Sequence, residues 1–353
     1  MSLIKIAGAK IGYGYPPFII AEMSGNHNQS LEQALKIVDA AASTGVHSLK
    51  LQTYTPDTIT LNVNKDEFFI ADEENIWKGQ TLYDLYKQAH TPWEWHKPIY
   101  ERCQKMGLIC FSSPFDETAV DFLEELNTPC YKIASFENNH LPLLKKVAAT
   151  GKPIIMSTGM ATLYELDVAV TTLREAGCRD LILLKCTSTY PAEPFESNLL
   201  TIQHMQKLFN CPVGLSDHSL GLGVALASVA LGAVVIEKHF TLSRVDGSVD
   251  SAFSLEPAEM KQLEEESRRA WQALGEIKYG PTEKEKSSQK FRRSIYITED
   301  LDEGDILRDS NIQVIRPGYG LAPFYYDLVL GKKVKRALKK GTPLNWDLLF
   351  DSE

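Results

Sequence analysis

Eight repeats of a short apolar run followed by an amphipathic stretch predict an α/β fold, a (β/α)8 TIM barrel. A change of composition after Gly275 predicts a separate, small, β-rich C-terminal domain. The chain also lacks a Gly-rich dinucleotide turn, which disfavours a doubly wound open sheet, the other fold that strand–helix units build. The runs that read as buried strands are "PFIIAEM" (17–23), "HSLKLQT" (47–53), "LICFSS" (108–113), "YKIAS" (131–135), "PIIMST" (153–158), "LILLKCT" (181–187), "PVGLS" (212–216) and "AVVIEKH" (233–239). Between them, "SLEQALKIVDAAASTG" (30–45) reads as a helix with Ser30 as N-cap and Gly45 as stop. "TLYELDVAVTTLREAG" (162–177) has the same form, and "EPAEMKQLEEESRRAWQALG" (256–275) closes the series. An insertion at 54–95, rich in Trp, Tyr and charge, follows the second strand and reads as a substrate-covering loop.

The uncharged run "SLGLGVALASVALGAVVI" (219–236) reaches the length of a membrane span. Its first half is small and helix-forming, its second half β-branched, with Gly232 between. A helix, a Gly stop and a buried strand account for that change, so no span is expected. After the barrel, "KYGPTEKEKSSQK" (278–290) is polar, Pro/Gly-broken and reads as a linker. This divides the chain into 1–277, the linker 278–290, and a tail at 291–353. The tail contains a weak internal repeat, "LDEGDILRDSNI" (301–312) against "LKKGTPLNWDLL" (338–349), which predicts pseudo-symmetry. At about 60 residues the tail is near the lower limit for a self-sufficient core, and docking onto another surface is expected.

With 44% hydrophobic and 24% charged residues the composition is that of a soluble globular protein. A net charge of −9 argues against nucleic acid or an anionic membrane as partner. The N-terminal residues show no signal-peptide pattern, and the six cysteines form no C-x-x-C pair. Free buried thiols in a reducing cytoplasm are expected.

Chemistry on such a barrel sits at the C-terminal ends of the strands. Those ends offer Glu22, Lys50 and Gln52, Ser112 and Ser113, Lys132 and Ser135, Ser157 and Thr158, Lys185 and Ser188, Ser216 with Asp217 and His218, then Glu237, Lys238 and His239. One Lys or Ser at a strand end is ordinarily just solvated. Hydroxyls and lysines ringing one mouth suit a small, multiply anionic ligand, such as a phosphate with a carboxylate. His218 and His239 end the seventh and eighth strands, neighbours in a closed barrel. Two hydrogen-bonded histidines at element boundaries are the plain alternative; a shared divalent ion is the reading their placement favours. Two imidazoles leave a coordination set for waters, Asp250 or substrate oxygens to complete, an open Lewis-acid site rather than a structural one.

The motifs "AEMSGNHN" (21–28), "KLQTY" (50–54), "FSSPFD" (111–116), "YKIASFE" (131–137), "GKPIIMSTGM" (151–160), "CTSTYP" (186–191), "GLSDHS" (214–219), "EKHFT" (237–241), "SLEP" (254–257) and "RPG" (316–318) resemble those of the sialic acid (N-acetylneuraminate) synthase family. Members condense phosphoenolpyruvate with an amino sugar to make nonulosonic acids, and the resemblance covers nearly the whole chain. The tail resembles the antifreeze-like (SAF) domain that closes the family. The resemblance implies Mn2+ or Mg2+ on His218 and His239, with Asp250 joining through water. It implies a phosphoenolpyruvate site of Lys50, Ser113, Lys132, Ser135, Ser157, Ser188 and Ser216. Glu22 matches an acidic residue beside the reacting sugar, Glu137 one near its hydroxyls, and Arg316 an arginine that the tail lends to sugar recognition. It also implies a homodimer in which each tail covers the partner's barrel mouth.

The sequence departs from the N-acetylneuraminate branch at Ser251, where that branch often has His, and at Phe136, where Gly is common. The stretches 76–96 and 246–257 look most like the pseudaminic acid synthases of bacterial flagellin glycosylation. That branch implies 2,4-diacetamido-2,4,6-trideoxy-L-altrose as acceptor, with sialate or legionaminate precursors as alternatives. A metal-dependent condensation with C–O cleavage is expected. A Schiff-base aldolase or lyase using Lys132 or Lys185 is the rival enzyme. The rival outside catalysis is an ice- or carbohydrate-binding tail on an inert barrel, against which the polar mouth argues.

Overall fold

The computed structural model describes residues 3–73 and 76–350. The chain divides into two compact units, Met1–Gly275 and Glu276–Glu353. The first begins with a hairpin of β1 (Ile4–Ile6) and β2 (Ala9–Ile11), turned by Ala7 and Gly8, both at positive φ. A two-residue turn of that conformation matches the twist of its flanking strands. The hairpin goes unanticipated in the sequence because runs of three residues show no period.

Eight parallel strands then close a barrel in sequence order, with the last pairing to the first. They are β3 (Phe18–Glu22), β4 (Ser48–Thr53), β5 (Ile109–Pro114), β6 (Tyr131–Ile133), β7 (Ile154–Ser157), β8 (Leu181–Cys186), β9 (Val213–Asp217) and β10 (Val235–His239). All eight expected runs are therefore strands. Helices alternate with them. Ser30 caps Leu31–Ser43 by accepting from the Gln33 amide at 3.2 Å, and Thr162 with Glu165 forms a capping box on Leu163–Glu175. The uncharged stretch resolves into the helix Gly223–Ala230, Gly232 at positive φ, and β10. Among the described residues no helix is long and apolar enough to cross a membrane.

Strand alternation sorts the barrel residues. Leu49, Leu51, Tyr131, Ile133, Ile154, Met156, Leu183, Val213, Leu215 and Ile236 face outward and pack with the helices. Ile20, Phe111, Ile155, Leu184 and Val235 face inward and share one buried cluster with Ile4, Ile6 and Ile11, so the hairpin closes the barrel's lower end. Above that apolar layer the inward positions become Glu22, Lys50, Ser113, Lys132, Ser157, Cys186, Ser216, Glu237 and His239. The insertion after β4 contains the helices Pro56–Ile59 and Leu82–Ala89; its residues 74–75 lie outside the described residues.

In the second unit Glu283–Lys286 forms one helical turn and Gln289–Phe291 a 3-10 turn. Beyond them β11 (Ser294–Ile297) pairs antiparallel with β12 (Ile312–Ile315) over a core that includes Ile295, Leu301, Leu307, Leu338, Leu344 and Leu349. The internal repeat is structural. Leu301 and Leu338 exchange both backbone hydrogen bonds at 2.8 Å, and Gly304 and Gly341 take the same conformation, φ +88° and +87°.

Candidate active site at the barrel mouth

The inward residues of β4 to β8 form an arc of cations and hydroxyls. Lys132 Nζ donates to Ser157 Oγ at 2.6 Å and Lys50 Nζ to Ser113 Oγ at 3.4 Å. Both lysines are buried, and both reach Glu237 Oε1, Lys50 at 3.4 Å and Lys132 at 3.6 Å. Ser216 Oγ donates to the same oxygen at 3.4 Å. Glu237 thus bridges the two cations, while its Oε2 is buried without a hydrogen-bond partner. Burial would raise its carboxyl, but Lys132 and Lys50 outweigh it and hold the pKa below the ordinary range. Burial pulls Lys132 down from its ordinary value.

Ser135 and Ser188 face each other across Gly159. A Cβ built on Gly159 would fall well inside contact distance of Ser188 Oγ and 2.7 Å from Ser135 Oγ. The Gly159 amide donates to Ser135 Oγ at 3.1 Å, and Asn138 Nδ2 fixes the loop through the carbonyls of Ser157 and Gly159 at 3.4 and 3.3 Å. Backbone amide, two hydroxyls and nearby Lys132 make a cradle of donors of the kind that binds phosphate.

The opposite arc, β9, β10 and β3, is different. The rings of His218 and His239 lie 5.4 Å apart. His218 Nδ1 lies 2.8 Å from the Thr187 carbonyl, which can only accept, so Nδ1 carries a proton. Burial would lower the ring's pKa, but Cys186 and that carbonyl outweigh it and raise it. His239 Nδ1 is buried with no hydrogen-bond partner, 3.7 Å from Asp250 Oδ2. Burial, then the charge of His218, holds His239 well below the ordinary imidazole range, keeping it neutral. Among the described residues no three His, Cys, Asp or Glu side chains form a metal site by themselves. The donor set nevertheless fits a divalent cation, since an unpartnered buried ring nitrogen facing a carboxylate is what an ion or its bound water satisfies.

Glu22 joins the two arcs. Its Oε2 lies 2.8 Å from Lys50 Nζ and its Oε1 accepts from Gln52 Nε2 at 2.9 Å. Burial drives its carboxyl up to about 7, against the pull of Lys50. Glu137 sits on the 3-10 turn after β6 with one oxygen buried and unpartnered, and burial raises it to about 7 as well. Aromatic rings wall the histidine side. Tyr190 lies 4.4 Å from His218, Phe253 4.9 Å from His239, and Trp77 of the insertion 5.8 Å from Tyr190.

The mouth therefore gathers Glu22, Lys50, Ser113, Lys132, Ser135, Ser157, Ser188, Ser216, His218, His239 and Asp250, with Glu137 beside them. Arg316 belongs to the C-terminal unit, exposed just after β12. Several strand-end residues face away from the mouth because alternation puts them on the outer face. Ser112 bonds Thr53 at 2.6 Å; Lys185 bonds the Cys186 carbonyl at 2.9 Å; Asp217 pairs with Lys238 at 2.9 Å. Three participants lie inside the quoted motifs yet receive no role from the sequence: the bridging Glu237, the space left by Gly159, and Cys186. The last has its thiol brought down to about 6, burial being outweighed by His218 and by Ser135.

The chain matches the NeuB family over residues 37–279 and the SAF domain over residues 292–349. It is 44% identical to the pseudaminic acid synthase of Campylobacter jejuni over 327 residues, 93% of this chain and 95% of that one. The pseudaminic acid synthase of Helicobacter pylori is 42% identical over 335 residues, 94% and 97% of the two chains. Among solved structures, N-acetylneuraminic acid synthetase of Leptospira borgpetersenii, crystallised with citrate, superposes with a TM-score of 0.71. It is 33% identical and covers 81% of this chain and 95% of its own. With the eight-stranded barrel, its polar mouth and the C-terminal SAF domain, these matches show that the chain belongs to the NeuB family.

Proposed function

We propose that the chain is a pseudaminic acid synthase, which condenses phosphoenolpyruvate with 2,4-diacetamido-2,4,6-trideoxy-L-altrose to give pseudaminic acid and phosphate. The observation that carries this reading is one mouth holding both a phosphate-type cradle and a histidine pair suited to a cation. The identity to pseudaminic acid synthases over nearly the full chain supports it.

In this reading Lys50, Ser113, Lys132, Ser135, Ser157, Ser188 and Ser216 hold the phosphate and carboxylate of phosphoenolpyruvate and aim its C3 at the acceptor. The C3–C1 bond forms, positive charge builds at C2, water adds there, and phosphate leaves with C–O cleavage. His218 and His239, with Asp250 through water, would hold Mn2+ or Mg2+, which would supply Lewis-acid polarisation of the acceptor aldehyde worth several kcal/mol. Glu22, with a carboxyl near 7, exchanges a proton with the acceptor oxygen or the attacking water. Glu137 receives the sugar hydroxyls, and Phe136, 58% exposed beside it, offers apolar surface to the acceptor methyl.

Residues 1–277 serve as catalytic domain and 291–353 as an arm on the tether 278–290, which can extend about 40 Å. We assign the protein to a homodimer with exchanged arms, Arg316 of each arm reaching the partner's sugar. Six free buried cysteines fit work in a reducing cytoplasm.

The test is purified protein with phosphoenolpyruvate, Mn2+ and a panel of 2-acetamido and 2,4-diacetamido sugars, read by phosphate release and product mass. A higher kcat/KM with N-acetylmannosamine or the legionaminate precursor moves the protein to another branch. Borohydride trapping without metal dependence replaces the synthase with a Schiff-base enzyme. Arm exchange is tested by mixing His239→Ala with Arg316→Ala protein. Partial recovery of activity supports exchange, and no recovery refutes it.

A further inference from the structure

Behind the histidine arc, on the outer face of the same two strands, lies an ion pair that takes no part in the mouth. Asp217 and Lys238 stand directly opposite each other on β9 and β10. Lys238 Nζ lies 2.9 Å from Asp217 Oδ2, with side chains 0% and 2% exposed. Lys238 Nζ also donates to the Ser219 carbonyl at 2.6 Å. Asp217 Oδ1 accepts from the Ser219 amide at 2.9 Å and from its hydroxyl at 2.7 Å. These bonds clasp the residues on both sides of His218, and they start from the residue that precedes His239.

Stability does not account for the charges. One layer lower on the same face, the opposed residues are Leu215 and Ile236, packed in the apolar cluster beneath the helices. A similar apolar pair would suit the upper layer, since removing two charges from water costs several kcal/mol that their attraction returns only in part. Geometry does account for them. Pairing between β9 and β10 ends at Asp217 and Lys238. Past that point the ion pair and its bonds to Ser219 tie the chain around His218 to the strand that carries His239.

We propose that Asp217 and Lys238 are positioning residues for the cation site, fixing the backbones of His218 and His239 at chelating separation. The inference rests on the metal reading given above. It makes the outer face of the barrel part of the site's construction, although neither residue touches a ligand.

The experiment compares full-length parent with the double variant Asp217→Leu/Lys238→Met, which removes both charges and keeps most of the volume. Three quantities are measured without turnover: the Mn2+ Kd by calorimetry, the phosphoenolpyruvate Kd without metal, and the metal-free melting temperature. The expected result is a Mn2+ Kd at least tenfold weaker, a phosphoenolpyruvate Kd within twofold, and a metal-free melting temperature unchanged or raised. A Mn2+ Kd within twofold of the parent overturns the proposal, as does a parallel loss of phosphoenolpyruvate affinity, which signals general damage. If the variant does not fold, Asp217→Asn/Lys238→Met, which keeps an acceptor for Ser219, is read by the same criteria. Failure of both to fold makes the pair structural and also overturns it. A parent that binds no Mn2+ sinks the metal reading and this inference together, whereas a binding parent with an indifferent variant sinks this inference alone.

Discussion

The two arcs of the barrel mouth are built on opposite rules. Along β4 to β8 the polar groups are satisfied: Lys132 on Ser157, Lys50 on Ser113, and both lysines on Glu237, which reaches across from β10. Across the mouth, at the end of β10, a group is left open: His239 Nδ1 lacks a hydrogen bond, with the Asp250 carboxylate 3.7 Å away. The first arc holds its donors in place by mutual bonds that an incoming anion can replace. In the proposed function the second receives a cation. The difference teaches that a buried cation cluster can be kept folded by an internal carboxylate, whereas a metal site is recognised by what its ligands lack.

The sharpest way to break this division is at the histidines. His239→Ala should lower turnover by roughly a thousandfold, the several kcal/mol that a Lewis acid supplies, while phosphoenolpyruvate still binds. Equal loss of phosphoenolpyruvate binding in equilibrium titrations would show that the arcs are one unit. Next, Lys132→Met should raise KM for phosphoenolpyruvate by about a hundredfold through loss of a charged donor, with Mn2+ affinity within twofold of the parent. A change in the metal titration of similar size would erase the distinction.

Glu137 tests the electrostatics without substrate. Its folded pKa, raised from 4.5 to about 7, means that the folded protein binds the extra proton in that interval. Stability should therefore fall as pH rises through it, and Glu137→Gln should be the more stable protein at pH 8 by on the order of 2 kcal/mol. Denaturant melts at pH 8 and pH 4.5 check this, the gap closing at the lower pH; a gap independent of pH excludes the carboxyl as its cause. The smallest effect belongs to Phe136. Phe136→Gly should lower kcat/KM for the 6-deoxy diacetamido acceptor about fivefold, the size expected from exposing one methyl, roughly 1 kcal/mol. An unchanged ratio between acceptors would remove Phe136 from sugar selection.

What the sequence discloses follows from period and position. All eight barrel strands are visible because each is a buried run long enough to register, whereas β1 and β2, three residues each, are not. Strand ends place Lys50, Lys132, His218 and His239 on one rim, as the structure has them, since inward polar residues above an apolar layer are legible once the barrel is assumed. Face is the weaker inference. Lys185 and Lys238 read as part of the mouth but face the helices, because a run of consecutive polar residues conceals which of them alternation turns inward. Glu237 is visible in the motif, yet its bridge between two lysines depends on strands 187 and 105 residues away in number (237 − 50 and 237 − 132), a relation only closure of the barrel creates.

Gly159 has a consequence that reaches beyond binding. Its backbone is not in the left-handed region, so alanine is acceptable to the local backbone conformation; the close neighbours are the facing side chains of Ser135 and Ser188. One added carbon would therefore work as a plug, occupying the cradle while sparing the histidines, the lysines and the core. Gly159→Ala is expected to be a folded but inactive twin, against which binding, assembly and dependence on ions can each be measured. The reach of the barrel is set there by an atom that is missing.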